Sequence, residues 1–329
     1  MQSEHNTNVE DIRKVMGTMP HMDTKPETKF HIGVEGIEVE MIDHTVNPYK
    51  TIFEAVTATW GSEDYTQKWD DITPVRRFDV VKTALSGQTL PQALEPVQFM
   101  FLVRGASRSA FDQHARARVG AGFFSQGVRD NSRADAGFRV PTEFADDPDL
   151  LERIKEHVED AKDLYSDIIR RGMGSYQTAR SILPMGSTHN YKFYTNLLAL
   201  KGYMANRLKA CEQEDTCFTA IAIRDSIERR FPLLASHMHP GCDYAKKCQY
   251  HNTYSMSEYF GCLFSGCGRW PDDDNAYATF NRSCSSHSTM AGQTGLRLPS
   301  PTKWKEYQAF HDLKMSDRKL FNDRVLFKE

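Results

Sequence analysis

At 329 residues, with 40% hydrophobic and 11% aromatic content, the chain holds enough apolar material for one large core or two ordinary ones, which excludes global disorder. A formal net charge of −3 argues against broad, salt-driven binding along a nucleic acid, and no apolar run approaches the ~18 residues of a membrane span. The opening MQSEHNTNVEDIRKVMG has no apolar secretory stretch and the seven cysteines are an odd number, so the expectation is a soluble, cytoplasmic protein with reduced thiols or a metal site.

Residues 1–30 are polar with little periodicity and read as a mobile arm. IEVEMI (37–42) alternates apolar and acidic residues, the period of a half-buried strand. Asn47-Pro48 then predicts a helix start, with Ile52, Phe53, Val56 and Trp60 on one apolar face. VQFMFLV (97–103) is apolar on both faces and predicts a buried strand. After it, Ser109-x-x-Asp112 predicts a capping box opening a short helix through Arg118, and Gly120, Gly122 and Gly127 break regularity. Asp147-Pro148 opens the clearest helix, lined by Leu151, Ile154, Val158, Ala161, Tyr165, Ile168 and Ile169 and stopped by Gly172. SYQTARSILP predicts a second short helix, capped by Ser175 and ended by Pro184. Residues 190–231 read as helix, broken around EQED. This order gives an α+β protein with a helical majority.

The chemistry gathers in one stretch. Between Arg104 and Arg133 stand six arginines against two acids, Asp112 and Asp130. Gln113 and Arg116, three apart, would share a helix face, with Arg118 at the turn into the glycines. Guanidinium groups pair with phosphate oxygens, and glycine lets backbone N–H groups approach them. The other reading is a solvated arginine face with Asp112 pairing Arg116. There is neither a GxxxxGK[ST] loop nor a GxGxxG fingerprint.

FMFLVRGASRSAFDQHARAR resembles the signature of the flavin-dependent thymidylate synthases, the ThyX type. YSDIIRRGMGSYQTARSILP and NYKFYTNLLALK are similar to that family's later helices, in the same order, so the likeness spans about residues 34–235. It implies a ThyX-like fold with a central mixed or antiparallel sheet, and three parts: the arm at 1–30, a flavin- and nucleotide-binding core at 31–235, and a Cys/His-containing extension at 236–329. It also implies a homotetramer with FAD at subunit interfaces. Such an enzyme methylates dUMP at C5, with NADPH and methylenetetrahydrofolate as cosubstrates. The cofactors carry that chemistry while the protein places and polarises the substrate.

On this resemblance Gln113, Ser125, Gly127, Arg129, Arg180 and Lys201 fall on substrate-binding positions. Arg116 and Arg118 lie against flavin and nucleotide, and Asn190, Lys192 and Asn196 fall on the flavin side. Arg116, Arg118 and Arg180 are the catalytic candidates. The chain departs from the pattern at Ala117, where the signature has histidine, at Asp130 in place of tyrosine, at Pro96 in place of histidine, and at Lys192 and Lys201 in place of arginine. Lysine lacks the planar fork of arginine, so these changes open the alternatives of another pyrimidine nucleotide, hydroxymethyl transfer, or a silent member that only binds. In the extension, Cys242, Cys248, Cys262 and Cys267 are zinc candidates with looser spacing than the usual pairs.

Overall fold

A computed structural model describes residues 27–60, 69–125, 127, 131–208 and 212–239. Its strands are β1 (Phe30–Ile32), β2 (Glu38–His44), β3 (Gln98–Ser107), β4 (Ala121–Ser125), β5 (Phe138–Val140) and β6 (Thr188–Asn196). Its helices are α1 (Pro48–Trp60), α2 (Pro74–Leu85), α3 (Arg108–His114), α4 (Thr142–Ala145), α5 (Pro148–Arg170), α6 (Tyr176–Ala179), α7 (Leu197–Arg207), α8 (Glu214–Glu228) and α9 (Pro232–Ala235). Helices outweigh strands, as the sequence implies.

Four strands form an antiparallel sheet in the order β2-β3-β6-β4, and β1 pairs in parallel with β5 in a smaller ribbon. One face of the large sheet carries Phe99, Phe101, Val103, Tyr191 and Phe193, all buried. Helix α8 packs against β2 and β3 on that core side. It buries residues around nearly its whole circumference, as a central helix must. The opposite face carries Met100, Leu102, Lys192, Tyr194 and Phe124 and is open in the single chain.

Local chemistry explains the ends of the elements. Asn47 accepts the Lys50 N–H (3.0 Å) at the start of α1, and Asp147 accepts that of Leu150 (3.0 Å) at the start of α5. Gly172 follows α5 with a φ of 65°, the left-handed turn expected of its stop. Gly105, with a φ of 75°, sits where the β3–β6 register shifts; a Cβ there would lie 2.4 Å from the Gly36 carbonyl oxygen. The bulge needs glycine.

Several expectations are corrected. Residues 190–196, read as helix, belong to strand β6 (Thr188–Asn196), because THNYKFYTN alternates and its odd positions from His189 to Thr195 turn inward. Ala121–Ser125 is strand β4, not an irregular glycine path. The buried strand is buried on one side only: Phe99, Phe101 and Val103 are inside, while Met100 and Leu102 are half-exposed. Trp60 is 59% exposed and leaves the apolar face of α1. No helix among the described residues is long and apolar enough to cross a membrane.

Candidate active site

The arginine-rich stretch is built by a strand, a bulge and a short helix. After the bulge at Gly105, Ser107 caps α3 by accepting the Ala110 N–H (3.0 Å), and its hydroxyl meets that of Ser109 at 2.8 Å. The cap is therefore Ser107, not Ser109. The helix ends at His114 instead of Arg118, so Arg116 lies past its end and shares no helical face with Gln113. Asp112 pairs with Arg108 (3.0 Å) and not with Arg116. The Arg108 guanidinium also lies 4.9 Å over the Phe111 ring.

From Ala115 to Gly120 the chain swings outward, then returns as β4 along the free side of β6. Arg116 and Arg118 are exposed on this excursion, and the Arg118 Nε donates to the Ala115 carbonyl (3.3 Å). Ser125 ends β4 opposite Tyr191, and Lys192 is exposed opposite Phe124, which is 63% exposed. Gly127 is exposed just beyond. Arg180 is exposed in a single 3-10 turn after α6. Arg116, Arg180 and Lys192 make no ion pair among the described residues, whereas Arg104, Arg108, Arg170, Arg171, Arg207 and Arg224 are each held by an acid.

Both asparagines have structural partners. The Asn190 oxygen accepts the Gly105 N–H (3.0 Å) and so closes the bulge in β3. Asn196 caps α7 by accepting the Ala199 N–H (2.8 Å), and its own N–H donates to the Gly120 carbonyl (2.9 Å). This last bond ties the arginine excursion to the start of α7. Lys201 lies elsewhere: its ammonium donates to the Leu85 carbonyl at the end of α2, and burial lowers its pKa. Arg129 and the four cysteine candidates lie outside the described residues, among which no three His, Cys, Asp or Glu side chains could hold a metal ion.

Behind α3 lies a layer that sequence reasoning missed. His114 is fully buried, and its Nδ1 pairs with the Tyr203 hydroxyl of α7. Burial, with the Arg207 charge, lowers the His114 pKa to about 3, so the imidazole stays neutral. His189 is lowered to about 4 by burial, then by Arg133 and Arg108. Arg207 bridges Glu212 (2.6 Å) and the Gln113 carbonyl (2.6 Å). The Gln113 side chain donates to Gln213 (2.6 Å), and Asp215 accepts the Ser107 N–H (3.3 Å). The signal was the EQED run, which reads as a helix break but from which Gln213 and Asp215 reach back to α3 and its cap.

Comparison with known proteins identifies the family. The family model described as thymidylate synthase complementing protein matches residues 40–233. The flavin-dependent thymidylate synthase of Pyrococcus furiosus is 28% identical over 183 residues, 54% of this chain and 72% of the relative. That of Thermococcus onnurineus is 25% identical over 183 residues, 54% and 73% of the two chains. In fold, the chain is similar to the UMP/dUMP methylase PolB of Streptomyces cacaoi, solved with 5-Br dUMP, with a TM-score of 0.54 at 16% identity over 64% of this chain and 96% of that one. A family match over more than half the chain leaves one conclusion: the chain belongs to the thymidylate synthase complementing protein family.

Proposed function

We propose that this chain is a flavin-dependent methyltransferase acting at C5 of a pyrimidine nucleoside monophosphate, with dUMP the first choice, methylenetetrahydrofolate the carbon donor and NADPH the reductant. The observation that carries this reading is a family-matched core on which Arg116, Arg118, Arg180 and Lys192 are exposed and make no ion pair among the described residues. Free cations left solvated on one family-matched core suit phosphate oxygens. The relatives named as flavin-dependent thymidylate synthases supply the reaction class.

The residues present fit a flavin dinucleotide. Arg116, Arg118 and Lys192 offer positive charge to a diphosphate, and Phe124 and Tyr194 offer aromatic surface on the same open sheet face as Lys192. When bound, reduced flavin supplies the hydride that brings the transferred carbon to the methyl level, and C5 exchanges its hydrogen for that carbon. The chain itself binds, orients and polarises. Arg116 and Arg118 set the charge beside the cofactor, Gln113 meets the base, and Arg180 with Ser125, Gly127 and Arg129 takes the phosphate. Lys192 stands in as a point charge where its family uses a fork. In this reading FAD sits between subunits of a homotetramer.

Methylation at C5 must expel the hydrogen already there. Protein loaded with FAD, NADPH and methylenetetrahydrofolate should release tritium to water from dUMP labelled at C5, and the release should stop without FAD. Arg116→Ala should slow release at least tenfold, as expected for a charge used in the transition state. Flavin binding without tritium release from any pyrimidine monophosphate would leave a silent, binding-only member.

A further inference from the structure

Packing aims the two arginines of the excursion. Ala115 and Ala117 are half-buried against the main core, while Arg116, Arg118 and Val119 are exposed. With the alanines turned in, Arg116 and Arg118 project outward two residues apart. The ends of this segment are both held by one helix, α7.

At the entry, the last carbonyls of α3 have no donor within their own helix. Arg207, in the last turn of α7, donates to the Gln113 carbonyl (2.6 Å) while its other terminal nitrogen holds Glu212 (2.6 Å). Both bonds run from a group that only donates to one that only accepts, so neither can be turned around. One turn earlier on α7, the Tyr203 hydroxyl pairs with the His114 ring. At the exit, Gly120 lies on the first turn of α7, where its carbonyl accepts the Asn196 N–H (2.9 Å). The approach is close: with a φ of 67°, a Cβ on Gly120 would stand 2.6 Å from the Asn196 side-chain nitrogen and 3.0 Å from the Ala199 Cβ. The end of α7 thus grips the segment where it leaves α3, and the start of α7 grips it where it enters β4.

We propose that Arg207 is a positioning residue, which anchors the entry of the excursion to α7 and so holds Arg116 and Arg118 ready for an anionic cofactor. The inference rests on those arginines meeting the flavin diphosphate, as in the function proposed above. Arg207 acts through the backbone of Gln113. A segment already ordered loses less freedom when a ligand binds, so loosening it weakens binding without removing a contact.

Limited trypsin digestion of the full-length protein, with and without saturating FAD, reads the anchor directly. Trypsin cuts after Arg116 and Arg118, and cutting requires the chain to open locally. Mass spectrometry of the first fragments gives the rate of those cuts relative to the cut after Arg171, which is exposed past the end of α5. Arg207→Met, which keeps the stem but no donor, should raise that ratio about tenfold or more and weaken FAD binding, by fluorescence titration, about as much. A global loss of stability would raise both rates together and leave the ratio unchanged. If the methionine variant does not fold, Arg207→Lys, whose single charge cannot serve both Glu212 and the Gln113 carbonyl, should show a smaller rise in the same ratio. An unchanged ratio in a folded variant overturns the proposal. So does a raised ratio with parent-like FAD affinity, in a protein whose FAD protects those two bonds. In the parent, FAD should slow the cuts at Arg116 and Arg118; FAD that binds without slowing them refutes the placing of these arginines beside the cofactor, while the cleavage ratio still decides whether Arg207 anchors the segment.

Discussion

His114 shows what a single buried residue does to this protein's response to pH. Its folded pKa of about 3 lies below the ordinary 6.5 because burial, then Arg207, disfavours the charged ring. As pH falls through 6.5 the unfolded chain takes up a proton that the folded chain refuses. Stability is thus full above that pH and falls by about 1.4 kcal/mol per pH unit toward the folded value. His189, lowered to about 4, adds a second group of the same sign. Unfolding free energy from urea titrations should therefore drop steeply between pH 6.5 and 4.5, and His114→Gln should flatten that slope by about one proton. An equally steep slope in the variant would mean that His114 is not held neutral. The sequence made Gln113, Arg116 and Arg118 legible because their types match a signature. It hid His114, Tyr203 and Gln213, whose significance comes only from contacts between α3, α7 and the start of α8.

The elements most legible in the sequence are those that carry their own signals. α5 has a capping aspartate, a proline at its first position, an apolar stripe and a closing glycine, and it forms as the sequence implies. β6 has an equally clear alternation, but the following NLLALKGYMANR is a strong helix signal that runs directly out of it, and the boundary falls at Asn196. Asn196, a favoured N-cap residue, is the local mark of that boundary, and pairing with β3 and β4 makes what precedes it strand. Asn196 sits at this junction, capping α7 and holding the Gly120 carbonyl. Asn196→Ala should cost about 1 kcal/mol of stability, and Asn196→Asp, which keeps an acceptor for the Ala199 N–H, only a fraction of that. Thermal unfolding of the two variants measures the difference. Equal midpoints would show that the cap contributes nothing.

At the scale of the whole molecule, the single chain leaves one sheet face uncovered, with Phe124, Tyr194, Met100 and Leu102 around Lys192. VQFMFLV, read as apolar on both faces, foreshadows this: the inner half is buried within the chain and the outer half is left half-exposed. Light scattering should give a homotetramer, and Phe124→Glu should dissociate it and weaken flavin binding together. A stable monomer that still binds flavin tightly would contradict assembly around the cofactor. The central claim is that this assembly adds one carbon to the C5 position of a pyrimidine nucleotide, and product mass tests it most directly. FAD-loaded protein with NADPH and methylenetetrahydrofolate is incubated with dUMP, UMP, dCMP or CMP, and each nucleotide is weighed afterwards. The account predicts that dUMP gains the mass of a methyl substitution on its base; nucleotides that all bind yet return with their masses unchanged would contradict it.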